Sequence, residues 1–87
     1  MSYQVLLSKT FRKQYADLEK SEQKRIKNTL FELEKDPLTP RSSADIKPLS
    51  GTNPKKYRLR VGDFRVIYAI EDGDVKIIEV FRRGKEY

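Results

Sequence analysis

Apolar and polar residues alternate without a break through Lys56-Tyr57-Arg58-Leu59-Arg60-Val61, and a second run, Phe64-Arg65-Val66-Ile67-Tyr68, follows two residues later. Period two is the mark of a half-buried strand. Gly62-Asp63 between the two runs is a two-residue turn, with glycine at the first central position as a type II′ turn requires. The hairpin sets Val61 against Phe64, Arg60 against Arg65, Leu59 against Val66 and Tyr57 against Tyr68. One face then carries Tyr57, Leu59, Val61, Phe64, Val66 and Tyr68, and the other Lys56, Arg58, Arg60 and Arg65. Like charges directly opposite each other destabilise a sheet. The Arg60–Arg65 pair is therefore a cost to folding that an anion, with phosphate the usual candidate, would offset.

Ahead of this hairpin, Tyr3–Leu7 reads as a short strand and Ser8 as the N-cap of a helix over Lys9–Lys20. Phe11, Tyr15 and Leu18 form its buried stripe. Ser21 is the expected cap of a second helix with the stripe Ile26, Leu30 and Leu33, widened by Phe31 and stopped at Pro37. One long helix would also satisfy the periodicity, but Glu22 breaks the stripe and favours a helical hairpin. Asp36–Ala44 is an irregular connection, and Ile46–Leu49 a brief edge strand, where Pro48 is tolerated. Asp72-Gly73 marks a type I′ turn into a last strand, Val75–Phe81, which carries apolar groups on both faces and so belongs inside the sheet. The sum is one α+β domain over residues 1–87, ordered β-α-α-β-β-β, with a mostly antiparallel sheet.

Carried onward from the second turn, the register sets Ile67 against Ile78 and Arg65 against Val80, with Arg82 on the same side. The face away from the helices then gathers Lys56, Arg58, Arg60, Arg65, Lys76 and Arg82 around a floor of Ile67, Ile78 and Val80. Lys47 on the edge strand joins the candidates. Guanidinium forks for phosphates and an apolar floor for bases suit a strand of RNA. A solvated basic surface, salt-bridged to Glu71, Asp74 and Glu86, is the better account of any single arginine; for the cluster the RNA-binding reading is the better one.

Composition narrows the chemistry. Lys and Arg number 19 against 13 Asp and Glu, a net charge of +6, which favours a polyanionic partner. There is no cysteine and no histidine, which removes disulfides, thiolate nucleophiles and the commonest general base and metal ligand. Glu71, Asp72 and Asp74 sit at a hairpin turn, where acids serve as turn formers, so neither metal nor cofactor is expected. No apolar run approaches a membrane span and no signal-peptide core opens the chain, so a soluble intracellular protein is expected.

Leu59-Arg60-Val61-Gly62-Asp63-Phe64-Arg65-Val66-Ile67-Tyr68 resembles the signature hairpin of the RelE/ParE toxin superfamily, particularly its archaeal RelE branch. Ile46-Lys47-Pro48-Leu49-Ser50-Gly51 and the ending Arg82-Arg83-Gly84-Lys85-Glu86-Tyr87 are similar too, as is the order of elements. The resemblance implies the toxin of a type II toxin–antitoxin system: a cytoplasmic, ribosome-dependent endoribonuclease that cuts messenger RNA in the ribosomal A site and is silenced by a cognate RelB-like antitoxin. The runner-up, from the same fold, is a ParE-like DNA gyrase inhibitor without nuclease activity; a non-catalytic RNA-binding module is a third reading. Carried over by position, Arg65 falls on the arginine that holds the scissile phosphate, Arg83 on the C-terminal catalytic arginine and Tyr87 on the terminal tyrosine. Lys56 and Arg58 fall where bacterial RelE has a lysine pair. Two departures stand out: Arg58 cannot serve as a base, and Phe81-Arg82 replaces a small-then-His pattern.

Cleavage of RNA by its own 2′-hydroxyl needs a proton acceptor, charge stabilisation on the phosphorane and help for the leaving 5′ oxygen. Arg58 and Arg65 are electrostatic clamps, where one preorganised donor contributes roughly 2.7–4 kcal/mol. Lys56 or Tyr87 is the candidate base, tuned by crowded cations. Arg60, Lys47, Arg82 and Lys76 are the candidate RNA contacts. An incomplete acid–base set fits dependence on the ribosome, which would supply positioning.

Overall fold

The computed structural model describes residues 3–52 and 55–83. Strand β1 (Gln4–Leu7) leads into helix α1 (Lys9–Ala16). Ser8 makes the junction: its hydroxyl oxygen accepts the Phe11 N–H at 3.0 Å, satisfying a donor that a helix start leaves orphaned. α1 stops four residues short of the expected Lys20, because the Asp17 and Leu18 N–H groups turn back onto the carbonyls of Gln14 and Tyr15. Glu19, not Ser21, then caps α2 (Lys20–Lys35) in a capping box, and its N–H donates to Glu22 Oε1 at 3.1 Å. The Glu22 that interrupts the apolar stripe is thus the third residue of a helix start. Gln23 fastens the helical hairpin: its amide donates to the Tyr15 and Leu18 carbonyls, and the Tyr15 hydroxyl donates to the Gln23 carbonyl at 2.8 Å.

Ile26, Leu30 and Leu33 form the buried stripe of α2 as expected, while Phe31, expected to widen it, is exposed. Pro37 ends the approach and is itself buried beneath the sheet's largest core side chain, Tyr68, whose hydroxyl donates to the Pro37 carbonyl at 2.7 Å. The remaining strands are β2 (Asp45–Pro48), β3 (Lys56–Val61), β4 (Phe64–Glu71) and β5 (Asp74–Arg82), in the sheet order β1-β5-β4-β3-β2. The order along the chain is β-α-α-β-β-β-β; the expected string β-α-α-β-β-β does not count the brief edge strand, which is present as Asp45–Pro48 and pairs with β3 along its whole length. β1 runs parallel to β5 and every other pairing is antiparallel.

Both turns have the expected chemistry. Gly62 takes φ +58° as the first residue of its turn, a conformation that side-chain-bearing residues rarely adopt, with the mobile end of Arg25 close by. Asp72 and Gly73 both have positive φ, 52° and 82°, as a type I′ turn demands. The helices cover the face carrying Leu59, Val61, Phe64, Val66, Tyr68, Val75, Ile77 and Val80, which join Phe11, Ile26, Leu30 and Leu33 in one core. The opposite face is open.

Candidate nucleic-acid interface

The hairpin register is the one read from alternation: Arg60 pairs with Arg65, Arg58 with Ile67 and Lys56 with Ala69. The next register is not. Asp74 to Ile77 pair with Glu71 to Tyr68 as the turn dictates, but Ile67 then pairs with Glu79, leaving Ile78 as an extra residue. A one-residue bulge sends every later side chain to the other face. Arg65 accordingly pairs with Phe81 rather than Val80, and Val80 lies in the core opposite Val66. The expected floor of Ile67, Ile78 and Val80 is replaced by Ile67, which is 8% exposed, with Phe81 in the neighbouring row.

Arg82 is also moved. It pairs with Phe64 on the helix-covered face, its guanidinium lies 4.6 Å from the Phe64 ring centroid, and its Nη2 donates to Glu22 of α2 at 3.1 Å. It lines a polar recess with Ser21, Glu22, Arg25 and Asp63, away from the other candidate cations. Its expected place beside Arg65 is therefore corrected. The doubled Ile77-Ile78, which breaks the alternation of the last strand, is the sequence signal that marks the shift.

What remains on the open face is a lattice of rows crossing the strands. The first row holds Asp45, Arg60, Arg65 and Phe81; the second Lys47, Arg58, Ile67 and Glu79; the third Lys56, Ala69, Lys76 and Leu6. Six predicted cations (Lys47, Lys56, Arg58, Arg60, Arg65 and Lys76) thus share one surface. Arg58 reaches Asp45 at 3.2 Å and Lys76 reaches Glu71 at 3.2 Å. Arg58 is the better fixed, with its side chain 15% exposed and its Nε buried, so its guanidinium is preorganised by the surface it lies on. Arg65 is half-buried, whereas Arg60 and Lys47 are exposed. Arg83 follows β5, and its N–H donates to the Asp63 carbonyl, which fixes its backbone at the hairpin tip, the end nearest Arg60 and Arg65. Tyr87 lies outside the described residues.

Glu79 and Phe81 are the members of this surface that the sequence reading missed. Among the described residues no cluster of three or more acidic, histidine or cysteine side chains could hold a metal ion. No helix of the described residues is long and apolar enough to cross a membrane.

Residues 5–87 match the family model described as the ParE toxin of the type II toxin–antitoxin system parDE. The Methanocaldococcus jannaschii protein named "Putative toxin RelE1" is 34% identical over the whole of this chain and 97% of its own length. The toxin in the archaeal RelE–RelB complex of Pyrococcus horikoshii is 35% identical and superposes with a TM-score of 0.83, covering 99% of this chain and 100% of that one. A chain of the toxin–antitoxin complex RelBE2 of Mycobacterium tuberculosis is 25% identical with a TM-score of 0.79, covering 98% and 95%. The chain belongs to the RelE/ParE family and is a type II toxin of RelE type.

Proposed function

We propose that this toxin is a metal-independent endoribonuclease that cleaves messenger RNA in the ribosomal A site, acts in the cytoplasm, and is silenced by a cognate RelB-like antitoxin. The observation that carries the reading is the row pair on the open face: Arg60 and Arg65 in one row, Arg58 and Ile67 in the next. Arg65 takes the scissile phosphate, Arg58 the charge that builds on the phosphorane, and Ile67 offers a flat apolar contact for a base. Arg60, Lys47, Lys56 and Lys76 track the flanking phosphates, and Arg83 enters from the hairpin tip. Positioning supplied by the ribosome completes a site too small to orient RNA by itself. The antitoxin assignment is supported by the RelE–RelB complexes among the similar structures.

The family model's ParE description favours a second reading, a gyrase poison. One experiment separates the two. Purified toxin is added to a translation reaction, with primer extension on the message, and in parallel to a gyrase–DNA cleavage assay. Cuts in ribosome-bound message with little cutting of free RNA are expected. Stabilised gyrase–DNA breaks with intact message would replace this reading with the ParE-like one.

A further inference from the structure

The bulge at Ile78 does more than move Arg82: it brings a carboxylate into the middle of a cationic surface. Glu79 is the register partner of Ile67, and Ile67 is the partner of Arg58, so the three lie in one row across β5, β4 and β3. Arg65, opposite Phe81, is the diagonal neighbour of Glu79, a separation of about 7–8 Å between backbones in sheet geometry. The other acids of this face lie at its margins, Asp45 on the edge strand beside Arg58, and Glu71 and Asp74 flanking the Asp72-Gly73 turn. Glu79 is half-buried, beside the covered Ile67. The charged groups facing it are Arg58 and Arg65 across the sheet and Lys76 on its own strand; β1 brings Leu6 to that face next to Lys76.

The cleavage proposed above lacks one part that guanidinium groups cannot supply. Arg58 and Arg65 have no lone pair with which to take a proton. A lysine takes one only after losing its own. We propose that Glu79 is the general base of RNA cleavage on this face, a role that rests on the ribonuclease reading. The 2′-O–H bond breaks and its proton passes to a carboxylate oxygen of Glu79. The freed electron pair of the 2′ oxygen forms the new bond to phosphorus. The bond from phosphorus to the 5′ oxygen breaks, its electrons stay on that oxygen, and a proton from water neutralises it. The products are a 2′,3′-cyclic phosphate and a 5′-hydroxyl, and Glu79 returns its proton to water. Arg65 and Arg58 hold the charge on the phosphorane throughout.

A purely structural Glu79, serving as counter-ion to the arginines, behaves differently when neutralised: RNA binds more tightly and the chemical rate stays. The test is single-turnover cleavage of ribosome-bound message by wild type, Glu79→Gln and Glu79→Asp, with affinity measured separately and the rate followed from acidic to neutral pH. Glu79→Gln is expected to cut about 100-fold more slowly or worse, to lose the acid limb of the profile, and to bind message at least as tightly as wild type. Glu79→Asp, which keeps the charge, recovers part of the rate and retains the acid limb. Wild-type rate and profile in Glu79→Gln, or a rate that falls only in step with affinity or folding, would overturn the assignment while leaving the ribonuclease reading intact. A wild-type protein that leaves message uncut overturns both.

Discussion

The side-chain oxygen of Gln14 accepts the main-chain N–H of Val80 at 2.7 Å, joining α1 to β5 just past its bulge. Ser8, six residues earlier at the N-cap, donates its hydroxyl to the Ile78 carbonyl. β1 ends at Leu7, opposite Ile77, so the outer edge of β5 has no strand neighbour beyond that point. Ser8 at the N-cap of α1 and Gln14 near its other end take over those backbone groups, which fixes the phase in which Glu79 and Phe81 face outward. Gln14→Ala is expected to cost about 1–3 kcal/mol by leaving a part-buried donor unsatisfied, read as a lower urea midpoint with an unchanged slope. Cleavage should fall further than RNA affinity, because the site loses geometry rather than charge. An unchanged midpoint would mean that the bulge holds without α1.

Arg60 and Arg82 make a direct comparison, being similar in exposure class and opposite in placement. Arg60 stands on the open face opposite Arg65, whereas Arg82 stacks on Phe64 and pairs with Glu22 behind the sheet. Each phosphate contact on single-stranded nucleic acid contributes about 0.7 to the slope of log affinity against log salt. Arg60→Ala should lower that slope by about this amount, and Arg82→Ala should leave it alone. The Arg82 pair is half-exposed, so Arg82→Ala should cost no more than about 1 kcal/mol of stability from its ion pair. A smaller slope in Arg82→Ala would place RNA on the helix side of the hairpin tip.

Much of this arrangement was legible in local pattern. Alternation gave the hairpin and the Arg60–Arg65 opposition, and turn residues gave both turn types. The error lay in extending one turn's register through the whole of β5. Ile77-Ile78 broke the phase in plain view, but the groups that hold the bulge, Ser8 and Gln14, lie 70 and 66 residues from their partners, where no local pattern reaches. The cap of α2 failed for another reason. Ser21 is the residue type a cap prefers, yet Glu19 has Glu22 three residues on and closes a reciprocal box, which satisfies two donors where a serine hydroxyl would satisfy one. Phe31 is apolar and exposed, and composition cannot tell an interface residue from a core residue. Tyr87 and its role stay with the sequence reading.

Tyr68 links stability to alkaline pH. Its ring stacks on Tyr57 with centroids 5.5 Å apart, and burial raises the pKa of its phenol well above the ordinary 10.0. The unfolded chain ionises there while the folded one does not. The stabilising contribution is therefore fully present below the unfolded value and is lost as pH rises from about 10 towards the folded value. Tyr68→Phe removes the hydrogen bond to Pro37 and leaves a buried carbonyl unsatisfied, an expected cost of about 1–3 kcal/mol at neutral pH. The gap between the two proteins should narrow as pH passes 10, which urea unfolding at neutral and alkaline pH measures. A gap that stays constant would mean that the phenol ionises as readily in the folded protein as in the unfolded chain.

Silencing of the toxin follows from where its charge and its exposed apolar groups lie. A chain of +6 favours an acidic partner. Away from the open face, α1 and α2 leave a groove of about 290 Å³ lined by Leu7, Phe11, Tyr15 and Leu30, with Arg12 and Lys27 at its rim. An extended, partly helical antitoxin segment with acids beside apolar anchors has contacts there that involve neither Arg65 nor Arg83. An antitoxin that wraps the domain would spread its binding energy over many such contacts, so no single arginine of the proposed site should decide it. Arg65→Ala and Arg83→Ala are each expected to lose message cleavage and to hold the cognate antitoxin within about tenfold of wild type, a change of about 1.4 kcal/mol. Pull-down and titration of both variants with the antitoxin check this. Loss of the complex in either variant would mean that the antitoxin grips the catalytic arginines themselves, and inhibition would then be direct occupation of the site rather than wrapping around it.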